Sequence, residues 1–137
     1  MEIPKLIKFK KIDESEKGCL TVAQYSENIP FSIKRVFWIH GMISKTTRGN
    51  HAHRRLQSVV ICLKGSVKVW LEDPFNHTFF FELSDSQTGL FIPSLYWEKF
   101  EFSLDSILLV LCSELYEQND YIWKRQDFIK TGLQIPD

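Results

Sequence analysis

The sequence predicts an all-β protein with one short helix at its C-terminal end. Runs rich in β-branched and aromatic residues recur along the chain, and turn-forming residues separate them at the spacing typical of a sandwich or barrel. Hydrophobic residues make up 44% and charged residues 25%, as in a globular protein, and 137 residues suit one domain. We therefore expect a single domain over 1–137, with strands at 6–11, 19–25, 35–40, 59–63, 67–71, 78–83, 90–92 and 107–112.

The clearest predicted pairing is a hairpin in the middle of the chain. Apolar and other residues alternate over 66–72, which indicates a half-buried strand. The sequence Asp-Pro-Phe-Asn-His at 73–77 is rich in turn-forming residues. We expect the strand to reverse there and pair with 78–81.

A helix is predicted only near the end of the chain. Asn119 or Asp120 can cap it, because short polar side chains accept hydrogen bonds from the first free N–H groups of a helix. The helix is expected over 121–129, and Gly132 stops it.

Charge and cysteine usage exclude several classes of function. Seventeen basic residues balance seventeen acidic ones, so no overall field favours nucleic acid or an anionic membrane. The N-terminus lacks a signal sequence, and no apolar run is long enough to span a bilayer. Three cysteines without paired spacing suit a reducing cytoplasm, and Cys62 and Cys112 lie in apolar runs that predict burial rather than catalysis.

The chemically richest stretch contains two histidines. His51 and His53 are two residues apart, so on a strand both side chains point to the same face. An imidazole titrates near pH 6.5. Two such rings in one cavity can bind a metal or carry protons.

The wider pattern around the histidines resembles the cupin superfamily, whose fold is a double-stranded β-helix, or jelly roll. In many cupins a Glu follows the His-x-His, and a further His lies downstream, and these four residues hold a metal. Here the corresponding residues are His51, His53, Gln57 and Glu98. Gln57 is a weak neutral ligand, so we favour metal-free proton transfer over a site of two histidines and Glu98.

Five segments carry a more specific resemblance. They are Arg-Val-Phe-Trp at 35–38, Arg-Gly-Asn-His-Ala-His at 48–53, Leu-Lys-Gly-Ser-Val at 63–67, Gly-Leu-Phe-Ile-Pro at 89–93 followed by Trp97, and 113–122. On these residues the chain is similar to the nucleotide-sugar 3,4-ketoisomerases, which act on TDP-4-keto-6-deoxy-D-glucose in making amino-deoxysugars for surface polysaccharides and antibiotics. The resemblance implies a cupin-type jelly roll, a homodimer with domain swapping, no metal or other cofactor, and catalysis by His51 and His53.

That reaction suits two imidazoles. It removes the proton on C3 of the sugar and delivers one to C4 through an enediol. We assign the base to His53 and the group that stabilises the carbonyl oxygen to His51, and the sequence is equally consistent with the reverse order. The aromatic hydroxyl that sometimes assists in this family has no Tyr at 37 or 38, so Tyr96, Tyr116, a sugar hydroxyl or water remain alternatives.

Arginines and aromatic residues are the candidates for holding the substrate. Arg48 and Arg35 offer planar guanidinium groups to the pyrophosphate. Trp97 is expected to stack on the base or to wall the sugar pocket. Surface ion pairing and core packing are the alternatives for these residues.

Two polar residues complete the predicted site. If the histidine strand is unbroken, Gln57 shares the face of His53 and bonds a sugar hydroxyl or an imidazole. Glu98 orients a histidine or binds a sugar hydroxyl, and its alternative is a solvated surface charge. The configuration at C4 of the product stays open.

Three rival functions use the same residues. A non-catalytic cupin would bind the nucleotide sugar without turnover. A metal-dependent cupin oxygenase or isomerase would use His51, His53 and Glu98. A sugar-nucleotide epimerase would leave the carbonyl on C4.

Overall fold

The structure, a computed structural model, describes residues 1–135, apart from the side chain of Glu14. The predicted domain, 1–137, includes Pro136 and Asp137, which lie outside the described residues. The strands are β1 (Lys5–Lys8), β2 (Lys11–Ser15), β3 (Gly18–Thr21), β4 (Arg35–Ile39), β5 (Thr46–His53), β6 (Ser58–Lys64), β7 (Val67–Glu72), β8 (Thr78–Leu83), β9 (Thr88–Ile92), β10 (Trp97–Phe102), β11 (Ile107–Cys112) and β12 (Tyr121–Ile122). A 3-10 helix (Gln118–Asp120) and one α-helix, α1 (Arg125–Thr131), complete the described part.

Two antiparallel sheets face each other. Within residues 1–135, one sheet has the order β1-β9-β6-β11-β4, the second has the order β12-β5-β10-β7-β8, and β2 and β3 form a separate hairpin. The predicted all-β jelly roll with a short C-terminal helix is confirmed. The predicted hairpin is confirmed too, because β7 pairs with β8 from Val67 with Leu83 to Glu72 with Thr78.

The core lies between the inner faces of the two sheets. On β7, Val67, Val69 and Leu71 are buried, while the residues between them are only partly buried. On β6, by contrast, consecutive residues Val59 to Cys62 are all buried. The outer face of this strand is covered by a second apolar cluster that includes Phe9, Ile29 and Phe31. A strand covered on both faces is a continuous apolar run rather than an alternating one.

The C-terminal segment differs from its prediction. Tyr121 and Ile122 form β12 and pair with His53 and Ala52 of β5, so the helix begins at Arg125 instead of Tyr121. The helix runs to Thr131, two residues beyond the predicted end, and Gly132 stops it as predicted, as its C-cap. The predicted cap is wrong for Asp120. Its carboxylate does not bond to the helix, because it bonds to His53 at the end of β5 and to the backbone N–H of Arg55 in the turn that follows.

No helix of the described residues is long and apolar enough to cross a membrane. Cys62 and Cys112 are buried, Cys19 is exposed, and all three thiols are free. The predicted burial of the two apolar cysteines is therefore confirmed.

The different burial of two phenylalanines predicts that their replacement by alanine lowers the free energy of unfolding by very different amounts. Phe102 is completely buried, whereas Phe80 is 52% exposed. We expect Phe102→Ala to lower the free energy of unfolding by about 3–5 kcal/mol, because it leaves a cavity. The control, Phe80→Ala, should cost about 1 kcal/mol or less. Urea unfolding of both variants measures the difference, and equal losses would contradict the described core.

The β7–β8 turn predicts a pH-dependent contribution to stability. The Asp73 carboxylate accepts hydrogen bonds from the N–H groups of Phe75 (2.8 Å) and His77 (3.0 Å), and one oxygen lies 2.7 Å from Nδ1 of His77. Burial by itself would raise the pKa of Asp73, but the bonds from His77 and Phe75 lower it overall.

Because the folded pKa lies below the unfolded value, this contribution is present above about pH 4 and is lost as the pH falls through the folded pKa. We expect Asp73→Asn to be less stable than the native protein at pH 7. This difference in stability between the variant and the native protein should disappear in strong acid. Thermal unfolding at several pH values measures it, and a gap that is independent of pH argues against the carboxylate.

Candidate active site

A cavity of about 700 Å³ opens between the sheets. Strands β4, β5, β6, β10, β11 and β12 contribute side chains to its wall. Both predicted catalytic residues, His51 and His53, line it, as do Arg35, Arg48 and Glu98. The predicted histidine face therefore points into this cavity.

A β-bulge in β5 directs two of these side chains, Arg48 and His51, into the cavity. Opposite Glu98 and Lys99 of β10, the register shifts, so that His51 pairs with Glu98 but Gly49 pairs with Lys99, and Asn50 is the extra residue. Residues 48 and 51 would point to opposite faces of a regular strand. The extra residue brings both Arg48 and His51 to the cavity.

Gly49 makes that bulge possible. Its φ is +101°, a conformation that favours glycine, and a Cβ there would lie 2.7 Å from the carbonyl oxygen of Glu98. The two strands thus approach more closely than a side chain would allow. Glycine at this position lets β10 bring Glu98 against the histidines.

The carboxylate of Glu98 bridges the two imidazoles. Its Oε1 lies 3.0 Å from Nε2 of His51 and 3.7 Å from Nε2 of His53. Burial alone would raise the pKa of Glu98, but the hydrogen bond from His51 and the charges of both histidines lower it to about 2. Glu98 is therefore an anion inside the cavity wall, not the solvated surface charge that was its alternative.

Asp120 holds His53 from the other side. One oxygen of this buried carboxylate lies 3.2 Å from Nδ1 of His53. The backbone N–H groups of Arg55 and Leu56 donate to Asp120 at 2.7 and 3.2 Å, which fixes its position. Burial tends to lower the pKa of His53, but Glu98 and then Asp120 raise it above the ordinary value. Both ring nitrogens of His53 thus face carboxylates.

His51 has a different environment. Its ring packs edge-on to His53, with centroids 5.0 Å apart, and lies 5.1 Å from the ring of Tyr121 and 5.0 Å from that of Trp123. Among residues 1–135, Nδ1 of His51 is buried without a hydrogen-bond partner. The two histidines are therefore not equivalent, because one is held by two carboxylates and the other by one carboxylate and aromatic rings.

The arginines sit at different depths. Arg48 is exposed at the cavity wall. Arg35 is half-buried, with its guanidinium 4.7 Å from the ring centre of Phe37 and 5.3 Å from that of Tyr116. Burial raises the pKa of Tyr121, and the charge and hydrogen bond of Arg35 partly offset that rise. The cavity thus has two cationic groups that can face an anionic ligand.

Two predicted substrate-binding residues are not at the cavity. The prediction for Gln57 required an unbroken strand, but β5 ends at His53, and the Gln57 side chain reaches Glu2 instead, at 3.4 Å. Trp97 points to the opposite face of β10 from Glu98, since neighbours on a strand alternate. It packs against Phe128 and lines a smaller cavity of about 360 Å³ on the outer side.

Sequence reasoning missed three residues of this site. The predicted helix has Asn119 or Asp120 as its cap and includes Tyr121 and Trp123. The two rings stack almost in parallel, with 5.0 Å between centroids and 6° between planes, and both line the cavity. The sequence does contain a signal for a strand here. Tyr121 and Trp123 flank Ile122, which is buried, and such alternation of faces is typical of a strand.

Other candidates receive no support as reactive groups. Tyr96 donates its hydroxyl to the carbonyl of Glu2 at 2.7 Å and is not part of the cavity wall, while Tyr116 is mostly exposed. Cys112 does line the cavity. Burial raises the pKa of its thiol to about 11, with Arg35 opposing and Glu98 reinforcing the rise, so the reactive thiolate is disfavoured.

The arrangement can perform acid–base chemistry on a bound small molecule, because two imidazoles and the Glu98 carboxylate line the cavity and the Asp120 carboxylate supports His53 from behind. It also offers ligand atoms to a cation. His51, His53 and Glu98 each offer one donor atom, and these three atoms lie within 4.8 Å of one another.

Comparison with known proteins shows the family of the chain. The family model described as "FdtA: WxcM-like, C-terminal" matches residues 2–132. The chain is 40% identical over 132 residues to the TDP-4-oxo-6-deoxy-alpha-D-glucose-3,4-oxoisomerase of Aneurinibacillus thermoaerophilus, covering 96% of this chain and 94% of that protein.

Solved structures agree with that similarity. A variant of the 3,4-ketoisomerase QdtA from Thermoanaerobacterium thermosaccharolyticum, in complex with TDP-4-keto-6-deoxyglucose, superposes with a TM-score of 0.89 at 39% identity, over 96% of this chain and 94% of that one. WlaRA, a TDP-fucose-3,4-ketoisomerase from Campylobacter jejuni, gives 0.87 at 32% identity, over 93% and 94%.

Proposed function

Because the chain belongs to the FdtA family, described as WxcM-like, C-terminal, we propose that it is a sugar-nucleotide 3,4-ketoisomerase. Its substrate is TDP-4-keto-6-deoxy-D-glucose and its product a TDP-3-keto-6-deoxyhexose. The observation that carries this proposal is the pair of cavity-lining imidazoles, His51 and His53, in a chain 40% identical to a 3,4-oxoisomerase over nearly its whole length.

In the proposed mechanism His53 is the base. Asp120 accepts a hydrogen bond at Nδ1, which selects the tautomer with a free electron pair at Nε2. That nitrogen removes the proton from C3, which the neighbouring carbonyl makes acidic. The C3–H electrons form the double bond of the enediol. The imidazolium that results lies between Asp120 and Glu98, which stabilise its charge.

His51 serves the oxygen side of the reaction. Its N–H donates to the C4 carbonyl oxygen, which gains a proton as the enediol forms. In the second half the hydroxyl on C3 gives its proton to His51, which restores that ring, the carbonyl forms at C3, and C4 receives a proton from the imidazolium of His53. Protons therefore balance, since C3 and its oxygen each lose one while C4 and its oxygen each gain one.

The rest of the cavity supports binding of a nucleotide sugar. The guanidinium groups of Arg48 and Arg35 are the groups proposed to hold the pyrophosphate. The stacked rings of Tyr121 and Trp123 offer a flat apolar wall beside His51 for the sugar or the base. Tyr121, whose ring lies 4.4 Å from that of His53 and 5.1 Å from that of His51, is the tyrosine proposed to assist proton transfer.

We extend the proposal to the setting of the enzyme. The free cysteines and the nucleotide-sugar substrate support a cytoplasmic location and a role in making amino-deoxysugars for lipopolysaccharide. The family resemblance supports one cupin domain and a homodimer formed by domain swapping. Exposed apolar side chains on the sheet-edge strands β1 and β4, Leu6, Val36 and Trp38, are compatible with a partner there.

Turnover in deuterated buffer tests the reaction. With TDP-4-keto-6-deoxy-D-glucose we expect NMR to show a 3-keto product that carries solvent deuterium at C4, since the proton on a histidine exchanges with water. A product with its carbonyl still on C4 would indicate an epimerase. Unchanged substrate that nevertheless binds would indicate the non-catalytic binding domain.

Replacing the histidines tests the assignment of the site. We expect His53→Asn and His51→Asn each to lower kcat by about 100- to 10,000-fold, because each removes a proton-transfer group. Affinity for TDP, measured by calorimetry, should change little, since the arginines remain. The control is His77→Asn on the exposed β7–β8 turn, which should keep full activity. Activity that survives in either cavity variant contradicts the mechanism.

A further inference from the structure

The smaller cavity beside Trp97, which we call the outer cavity, has no part in the proposed reaction. We propose that it is a second ligand site, which binds a flat aromatic ring that carries an anionic group, as in a nucleoside monophosphate. Its volume of about 360 Å³ is about half that of the cavity with the two histidines, the active cavity, at about 700 Å³. Sites for small molecules typically measure about 300–1,000 Å³, so the outer cavity suits a mononucleotide rather than a nucleotide sugar.

Aromatic side chains form the flat part of its wall. Trp70, Phe79 and Trp97 all line the outer cavity and are only partly buried, so each keeps surface that a ligand can cover. The ring of Trp97 is held in place, because it packs against Phe128 with 5.6 Å between centroids and lies 5.1 Å from the guanidinium of Arg125. Nucleobases stack on such rings with little selectivity, since every base has a π-face. The wall therefore favours a flat ring without selecting one base.

Lys99 gives the outer cavity an uncompensated positive charge. The guanidinium of Arg125 binds both carboxylate oxygens of Glu72, at 2.8 and 3.1 Å, so these two charges cancel. Nζ of Lys99 lies 5.2 Å from the ring centre of Trp70, and it has no carboxylate partner among the side chains that the structure describes. An ammonium group binds phosphate as a point charge. We therefore expect the anionic group at Lys99, next to a ring on which the base can stack.

The outer cavity is separate from the active cavity, although the same strands form both. On β5, Asn50 lines the outer cavity and His51 the active one. On β10, Trp97 and Lys99 line the outer cavity and Glu98 the active one. Neighbouring side chains of a strand point to opposite faces of the sheet, so a ligand in one cavity does not contact a ligand in the other. TDP in the active cavity should thus leave the outer cavity open.

The outer cavity also stays open in the homodimer proposed above. The partner is proposed at β1 and β4, which are the edges of one sheet, whereas the outer cavity lies on the other sheet. The protein can therefore be tested in its oligomeric form.

Calorimetric titration of the untagged protein with AMP, in the presence of saturating TDP, tests the site. TDP fills the active cavity, so the heat of AMP binding reports the outer cavity. We expect a Kd on the order of 0.1–1 mM, because the ligand is small and the site is partly open to solvent. Adenosine lacks the anion and ribose 5-phosphate lacks the ring, so each should bind at least about 5-fold more weakly.

Variants of the wall identify the cavity that AMP occupies. Trp70→Leu should weaken AMP binding by about 5- to 100-fold, because it removes a stacking surface. Lys99→Gln should weaken it by about 10-fold and remove most of its dependence on salt. The matched control is Lys68→Gln, on the same face of β7 as Trp70 but outside the cavity wall, which should bind AMP normally. All three variants should still bind TDP, which shows that they are folded.

Three results would overturn the second site. They are no AMP binding to the TDP-saturated protein, AMP binding that adenosine matches, and AMP binding that Trp70→Leu and Lys99→Gln leave unchanged. AMP that TDP displaces completely occupies the active cavity and overturns the proposal as well. AMP binding that both variants weaken, in a protein that does not bind TDP, supports the outer cavity and counts against the proposed function.

Discussion

The pairing of His53 with two buried carboxylates is the interaction on which the rest of the site depends. Placing a charged carboxylate in a protein interior costs several kcal/mol unless other groups compensate it. Glu98 is compensated by the imidazoles, and Asp120 by His53 and by backbone N–H groups. Because each charge needs the others, the ring of His53 is held in one orientation before any ligand arrives.

The sheet topology makes this pairing possible. β5, which carries the histidines, lies between β10 and β12. One neighbour supplies Glu98, and the segment that includes the other supplies Asp120, Tyr121 and Trp123. The site is thus assembled from three pieces of chain that hydrogen bonds of one sheet bring together. This arrangement also explains why a segment near the C-terminus leaves its local helical pattern, since its strand pairing and its buried carboxylate outweigh a short stretch of helix.

Much of the fold was predictable from local patterns, and the exceptions have physical causes. The hairpin of β7 and β8 followed from alternation and turn residues, and both act within a few positions. β10 was missed because Glu98, Lys99 and Glu101 interrupt its apolar pattern, yet Glu98 is buried only because it pairs with histidines from another strand. The start of α1 was placed four residues too early because Asp120 resembles a helix cap.

By itself the sequence determined that His51 and His53 share a face, because alternation along a strand is a local property of the backbone. It also determined the burial of Cys62 and Cys112. Only the tertiary structure decided which other side chains meet those histidines. Three features decided this: the bulge in β5 opposite β10, the end of β5 at His53, and the pairing of β5 with β12. Together they keep Gln57 out of the site and bring Asp120 into it. These features depend on contacts between distant segments, whose geometry local spacing does not specify.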